Sequence, residues 1–259
     1  MMKRTLVGAI VVALALIGTG CDSSSSSDLE APVVKAKATG DGGTLQLSWD
    51  AVDGAASYEI KAGDMTYTTD ATTYDVTTPA ATIEVRSVKG DSKSDSAATI
   101  DCRVVETETL EVYGLTDPDT SHHGGFGFET DGTIGTYSIS VYDPAKFAAL
   151  DYYADDGNFS PIALVNPGSV PWNAKGNKMA AASATTYDEI KIADPSAAYS
   201  DSSLTLADGG FYYLWLDRGN DGWTDNDNFA KVQVLSINGH LMTARVGYQK
   251  ISGLRWLAN

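Results

Sequence analysis

The stretch from Asp217 to Asn228 carries a dense set of oxygen ligands, with four aspartates and three asparagines. Calcium binds about six to eight hard oxygen atoms, which closely spaced carboxylates and amides with a glycine for a sharp turn can supply. The EF-hand motif is incomplete, because Asn228 stands where the bidentate acid is expected. In addition, both flanking segments have the alternating pattern of strands, not helices. A calcium site here would therefore be a loop site between strands, and the alternative is a solvated acidic loop that keeps the edge strands soluble. The candidate ligands are Asp217, Asn220, Asp221, Asp225 and Asp227.

The three histidines are candidates for another chemistry, the capture of haem or a metal ion. His122 and His123 are adjacent and precede two glycines, and His240 lies far along the chain. Neighbouring side chains on an extended strand point to opposite faces, so one metal ion would rarely bind both adjacent histidines. Exposed loop histidines are the alternative, and haem capture is the less favoured function.

Aromatic side chains in the last third of the chain are candidates for a binding platform. In the apolar segment 211–216, alternation sends Tyr213 and Trp215 to one face and their neighbours to the other. One face must be core, and the other could offer rings to a sugar or a protein partner. Trp223 joins these candidates because it lies in the polar loop, where burial is least assured.

Charge and motifs exclude several function classes. The chain has 18 Lys and Arg against 34 Asp and Glu, a formal charge of -16, so a partner with a phosphate backbone is not expected. The 259 residues contain no Gly-x-Ser-x-Gly, His-Glu-x-x-His, Cys-x-x-Cys or Gly-x-x-x-x-Gly-Lys motif. We therefore expect a protein that is not an enzyme.

The amino terminus predicts where the protein resides. Two basic residues precede an apolar run at 6–17, which is too short for the ~20 residues of a membrane-spanning helix. Small residues then lead to Cys21 and a serine-rich stretch. This ending resembles a bacterial lipoprotein signal, although Gly18 replaces the usual leucine; an ordinary signal peptide with an incidental cysteine is the alternative. The resemblance implies a signal peptide at 1–20, then a lipidated Cys21 and tether at 21–28.

The anchor has two consequences. We expect membrane attachment through the lipid and residence in the bacterial cell envelope, with the outer membrane or cell surface favoured over the inner membrane.

If Cys21 carries lipid, Cys102 is the remaining thiol and cannot form an intramolecular disulfide. Its place in an alternating segment predicts a buried cysteine without a chemical role.

The patterning behind these candidates predicts an all-β chain of two β-sandwich domains. In residues 29–104, short alternating segments are separated by turn residues, without a sustained helical period. Leu47–Val52 and Ala56–Ile60 resemble the second and third strands of a fibronectin type III domain, and Ile83–Val88 resembles its sixth strand. Ala81 replaces the tyrosine usual at the head of that strand. The resemblance implies a spacer or adhesion module.

Residues 105–259 are predicted to form a larger antiparallel sandwich with one or two short helices. The dipeptide Asn238-Gly239 between two alternating runs is a strong hairpin signal. Asp143-Pro144 predicts a short helix through Leu150, and Tyr187–Ile192 predicts another helical turn.

The strand order of this second half is similar to that of HmuY-like surface lipoproteins, which bind haem. The similarity rests on a Gly-Phe-rich opening at Gly124–Phe128, a late strand-loop-strand at Phe211–Ile237 and Tyr248-Gln249. We expect a lipid-anchored envelope protein whose second domain is a non-catalytic binding or adhesion module for a glycan, surface polymer or protein partner. Haem or metal capture, and a structural envelope protein without a small ligand, are the alternatives.

Overall fold

The computed structural model describes residues 29–129, 131–139, 148–155, 163–165, 175–217 and 219–259. Antiparallel strands form its sheets, which confirms the predicted all-β class. The predicted helical turn is present as a 3-10 helix at Tyr187–Glu189. Cys21 lies outside the described residues, as does most of the helix predicted from Asp143 to Leu150. Within the described part of the chain, no helix is long and apolar enough to cross a membrane.

The first unit contains eight strands in two sheets. The strands are β1 (Lys35–Thr39), β2 (Thr44–Ser48), β3 (Ser57–Ala62), β4 (Met65–Thr69), β5 (Thr73–Val76), β6 (Thr82–Lys89), β7 (Ser92–Lys93) and β8 (Ala98–Asp101). One sheet has the order β1-β2-β5, and the other has the order β4-β3-β6-β7, with β8 also paired to β6. The chain therefore changes sheet between β2 and β3, and a turn at Asp53-Gly54 lies in that connection.

Alternating side chains form the core between these two sheets. Leu45 and Leu47 of β2 face Ile60 of β3, and all three are fully buried. Trp49 packs edge-on against Tyr58, with 5.0 Å between the ring centroids. The Tyr58 hydroxyl accepts a hydrogen bond of 2.9 Å from a backbone N–H in the segment that follows β2. These contacts are the expected result of strands that bury one face.

The described residues of the second unit form ten strands in two five-stranded sheets. The strands are β9 (Val105–Tyr113), β10 (Gly125–Phe128), β11 (Ile134–Tyr137), β12 (Tyr152–Asp155), β13 (Ala163–Val165), β14 (Lys178–Ala181), β15 (Leu204–Thr205), β16 (Phe211–Leu216), β17 (Asn228–Asn238) and β18 (Leu241–Tyr248). One sheet has the order β11-β10-β12-β13-β15, and the other has the order β14-β16-β17-β18-β9. The turn at Asn238-Gly239 joins β17 to β18 as predicted. The domain boundary at residue 104 stays a prediction.

The second sheet of this unit has apolar residues on both faces. Its inner face packs on the other five-stranded sheet through Tyr212, Leu214 and their neighbours. Its outer face, which includes Trp215, packs against a separate cluster that contains Ile190 and Leu257. The outer face of β16 is therefore only partly open to solvent.

The end of the chain returns to the first unit. Leu254 and Trp256 are fully buried in the first core, although both follow the last strand of the second unit. The Trp256 indole N–H donates to the Gly43 carbonyl at 3.0 Å. Gly42 makes this approach possible: its φ is +83°, and a Cβ there would lie 2.2 Å from the Gly253 carbonyl oxygen. We call these contacts between residues 40–43, 223–227 and 253–256 the seam.

Cys102 has the buried position predicted for it. It is a free thiol, fully buried in the first core. Burial raises the pKa of its thiol to about 12. Because the thiolate is the reactive form of cysteine, this side chain is chemically inert in the folded chain.

Candidate functional site

The acidic loop brings three carboxylates together because of the strand register. Leu216, the last residue of β16, pairs with Asn228, the first residue of β17. Asp217 and Asp227 therefore lie opposite each other where the loop begins and ends. Asp221 completes a set of three aspartates, which we call the carboxylate group. One oxygen atom from each of the three lies within 4.8 Å of the other two. This group could hold a metal ion.

Asp217 is the buried centre of the loop, with 2% of its surface exposed. Its Oδ1 accepts the N–H of Asp221 at 3.2 Å, and its Oδ2 accepts the N–H of Gly222 at 2.9 Å. The loop thus folds around this carboxylate. A Cβ on Gly176 would lie 2.6 Å from Asp217 Oδ2 and 2.7 Å from Asn220 Oδ1, so only glycine leaves room for both oxygens. The Asn220 amide oxygen therefore lies beside the carboxylate group.

Asp227 links the carboxylate group to Trp215 of strand β16. It is 2% exposed, and its Oδ2 accepts the indole N–H of Trp215 and the N–H of Thr224, both at 2.9 Å. Burial raises the pKa of Asp227, and the nearby Asp217 charge adds to the rise. A bound cation would oppose both effects and favour the ionised carboxylate.

Asp225 lies outside the carboxylate group, although it was among the predicted ligands. Its carboxylate pairs with Lys37 of β1 at 2.8 Å, and both side chains are more than half exposed. It therefore contributes to the seam. Of the five predicted ligands, the structure brings Asp217, Asp221 and Asp227 into one group, with Asn220 next to it.

Two of the three predicted platform residues lie on the outer face of β16. Tyr213 and Trp215 are half-buried there. The Lys178 ammonium lies 4.5 Å from the Trp215 ring centroid, and the Tyr199 ring meets Trp215 edge-on at 5.8 Å. We call Tyr199, Tyr213 and Trp215 the aromatic surface.

Trp223 is half-buried and packs at the seam. Its indole N–H donates to the Gly40 carbonyl at 3.4 Å. The Arg255 guanidinium lies 4.7 Å from its ring centroid, and the Phe229 ring lies 5.3 Å away. Most of this ring therefore contacts the protein, and its neighbourhood joins the acidic loop to the first unit.

The three histidines are at the opposite end of β17 from the acidic loop, and each has a polar partner. His122 stacks on Tyr113 and lies 3.1 Å from an Asp117 oxygen. His123 Nδ1 lies 2.7 Å from Thr136 Oγ1, and His240 Nδ1 lies 3.3 Å from Thr116 Oγ1. Among the described residues, the aspartate group is the one set of three side chains that meets the distances of a metal site.

A cavity formed by described residues lies elsewhere, at the linker between the two units. It has a volume of about 300 Å³ and is lined by residues that include Asp101, Arg103 and Lys250. Arg103 is bound to Asp101 at 2.9 Å, so much of the charge on its wall is already neutralised. It contains none of the predicted site residues.

A buried lysine lies under the outer face of the second sheet. Lys231 is 1% exposed, and its ammonium lies 4.1 Å from the Tyr187 ring centroid. Its Nζ donates long hydrogen bonds of 3.4 Å and 3.3 Å to the carbonyls of Tyr187 and Ile190. Burial lowers the pKa of this amine to about 8.

The depressed pKa of Lys231 predicts a rise in stability with pH. Between pH 8 and pH 10 the folded lysine loses its proton while the unfolded lysine keeps it, so the free energy of unfolding increases, by up to about 3 kcal/mol. Above that range, Tyr187 acts in the opposite direction, because burial raises its pKa. Urea unfolding at several pH values measures the rise.

Lys231→Met is the matched variant for that measurement. It keeps an apolar stem in the site and removes the titrating group, so the difference between the two pH profiles isolates Lys231. Equal profiles for the two chains between pH 8 and pH 10 would contradict the assignment.

Sequence reasoning missed Arg255, Tyr199 and Lys231. The one signal for Arg255 is a charged residue inside the final apolar segment 254–257. Lys231 occupies an alternating polar position, which predicts exposure, but segment 187–190 covers it. Tyr199 lies in a stretch without regular secondary structure, and local pattern does not indicate its partners.

The comparisons with known proteins concern the fold alone. No protein-family model matches the chain, and no curated protein matches its sequence. The structure is similar to the crystal structure of a DUF4466 family protein from Parabacteroides merdae, with 12% sequence identity and a TM-score of 0.43. The match covers 85% of this chain and 99% of that chain.

Proposed function

We propose that this chain is a non-catalytic binding module of the bacterial envelope, in which a calcium ion organises an aromatic surface for a glycan, surface polymer or protein partner. One observation carries the proposal: Asp227 belongs to the carboxylate group and also accepts the Trp215 indole N–H. An ion at the carboxylates would therefore fix the position of a ring on the aromatic surface.

The chemistry of the ligand set favours calcium. All the available side-chain atoms are carboxylate or amide oxygens, which hard cations prefer over softer metals. Asp221 is exposed, so water can complete the coordination, and Asp217 and Asp227 supply buried charge. Calcium tolerates irregular geometry better than magnesium, which demands a near-octahedral site.

Isothermal titration calorimetry tests the calcium site. The chain without residues 1–27 contains every described strand, and after dialysis against a chelator it is expected to bind one calcium ion. Magnesium at the same concentration is expected to give much less heat. The absence of calcium heat in the chelator-treated chain would reject the proposal.

Envelope attachment is proposed from the sequence of the amino terminus. Cys21 would carry the lipid, and residues 22–28 would let the folded part stand away from the membrane. Cys21→Ser is expected to move the protein from the membrane fraction to the soluble fraction. An unchanged fractionation pattern would contradict a lipid anchor.

For the first unit we propose a fibronectin type III-like spacer. The sheet orders β1-β2-β5 and β4-β3-β6, with β7 and β8 both paired to β6, support it, since they pair the first, second and fifth strands and group the rest.

Haem capture is the HmuY-like alternative. It is tested by adding haemin to the chain used for the calcium titration and measuring the heat of binding. Strong haemin binding lost in His122→Ala would favour it over the calcium module.

A further inference from the structure

The last segment of the chain, residues 254–257, packs into both units at once. Leu254 and Trp256 lie in the first core, whereas Leu257 lies in the cluster on the outer face of the second unit. All three side chains are fully buried. The backbone of the same segment forms two hydrogen bonds of 2.8 Å with residues 191–193 of the second unit. Moving the units apart would therefore expose apolar side chains that are now buried.

A turn of the first unit accepts four hydrogen bonds across the seam. The turn consists of residues 40–43, which join β1 to β2. Two of its carbonyls accept indole N–H groups, from Trp223 at 3.4 Å and from Trp256 at 3.0 Å. The other two accept the Nε–H and the backbone N–H of Arg255. Because hydrogen bonds are directional, four along one turn fix its orientation, which a single contact would leave free to rotate.

Two glycines allow the backbones of the two units to meet directly. Gly42 has a φ of +83°, and a Cβ there would lie 2.2 Å from the Gly253 carbonyl oxygen. Gly253 has a φ of +77°, and its N–H donates to the Asp227 carbonyl at 2.7 Å. A Cβ on Gly253 would lie 3.2 Å from the Cβ of Ala38 in β1. Contacts this close leave little room for one unit to slide on the other.

The acidic loop is part of the seam. The Trp223 ring lies 4.7 Å from the Arg255 guanidinium, and Asp225 pairs with Lys37 of β1 at 2.8 Å. The same loop contains Asp227 of the carboxylate group. The loop that holds the candidate site is therefore attached to the first unit as well as to its own sheet.

We propose that the seam holds the two units as one rigid body, so that the first unit acts as a fixed arm instead of a flexible link. The arm extends to Leu29, the first described residue, which is 9% exposed. It therefore sets the direction in which the acidic loop points from the amino-terminal end of the first unit. The role of the arm rests on the proposed spacer function, whereas the rigid connection itself needs neither calcium nor lipid.

Pulsed electron paramagnetic resonance between two spin labels tests the rigid connection. The labels are attached to Thr66→Cys on β4 and Ser236→Cys on β17, two exposed strand positions, in the chain without residues 1–27. Cys102 stays unlabelled because it is fully buried. With chelator present, one narrow distribution of label distances is expected. A broad distribution, typical of domains on a flexible linker, would overturn the rigid body, while a failed calcium titration would reject the calcium module alone.

Gly42→Ala is expected to broaden the distribution, and Gly40→Ala is its matched control. Both glycines lie in the same turn with positive φ, but a Cβ on Gly40 would meet no atom within 4 Å. The two variants therefore carry similar backbone strain, and Gly42→Ala alone forces the seam apart. Gly40→Ala should keep the narrow distribution.

Circular dichroism shows whether each variant folds. If Gly42→Ala does not fold, Trp223→Ala takes its place, because this residue is half-buried in a loop and its loss removes the donor to the Gly40 carbonyl. A folded seam variant that keeps the narrow distribution, or a Gly40→Ala variant that broadens it equally, would overturn the assignment of the rigid connection to the seam.

Discussion

Asp227→Asn is expected to abolish the rise in melting temperature that calcium produces, and to raise the melting temperature of the calcium-free chain. At a calcium concentration of ~100 times Kd, binding to the folded state alone adds ~2.7 kcal/mol, or about 5–10 °C for a chain of this size. The variant removes one of three ligand charges. It also removes the repulsion between Asp217 and Asp227, which contributes to the raised pKa of Asp227. Differential scanning calorimetry with calcium or chelator measures both effects.

Asp225→Asn is the matched control for this prediction. It makes the same chemical change in the same loop, but its carboxylate pairs with Lys37 on the surface. Because exposed ion pairs contribute about 0–1 kcal/mol, the control should retain the full calcium response. Equal loss of the response in both variants would indicate a general dependence on loop charge, which contradicts a defined site.

Trp256→Ala is expected to lower the free energy of unfolding by about 3–5 kcal/mol. The side chain is fully buried in the first core and donates its indole N–H to Gly43. Its loss leaves a large cavity and an unpaired carbonyl at the place where the last segment of the chain meets the first unit. Urea unfolding followed by far-ultraviolet circular dichroism measures the change.

Two further variants define the cause of that loss. Trp256→Phe keeps most of the apolar volume and should lower stability much less than the alanine variant. Val33→Ala changes a side chain that is 72% exposed and should stay within about 0.5 kcal/mol of the original chain. A loss below about 1 kcal/mol in Trp256→Ala would contradict the burial of this residue in the first core.

Local pattern predicted the features that depend on neighbouring residues. The alternation in Phe211–Leu216 correctly separated a core face from a half-buried face, because side chains of a strand point to opposite sides. The hairpin at Asn238-Gly239 follows from turn chemistry. The acidic loop was identifiable because its ligands are close in sequence, although Asp225 lies outside the carboxylate group.

The seam could not be predicted, because its partners are far apart in sequence. Trp256 meets Gly43 across 213 residues, and Trp223 meets Gly40 across 183 residues. No local period indicates which core an apolar segment enters, and residues 254–257 fall within the predicted second domain, 105–259. The contact between Arg255 and Tyr199 depends on the same long-range packing and could not be predicted either.

Terbium luminescence tests the central claim most directly, since terbium replaces calcium at oxygen sites and emits when a nearby tryptophan transfers energy to it. The Trp215 indole is bound to Asp227, so terbium at the carboxylate group should emit strongly when tryptophan is excited, and calcium should quench that emission by competition. Trp215→Phe should bind terbium but emit less, and Asp227→Asn should bind it poorly. Terbium that binds without tryptophan-sensitised emission, or emission unchanged in Asp227→Asn, would contradict a metal ion held between the acidic loop and the aromatic surface.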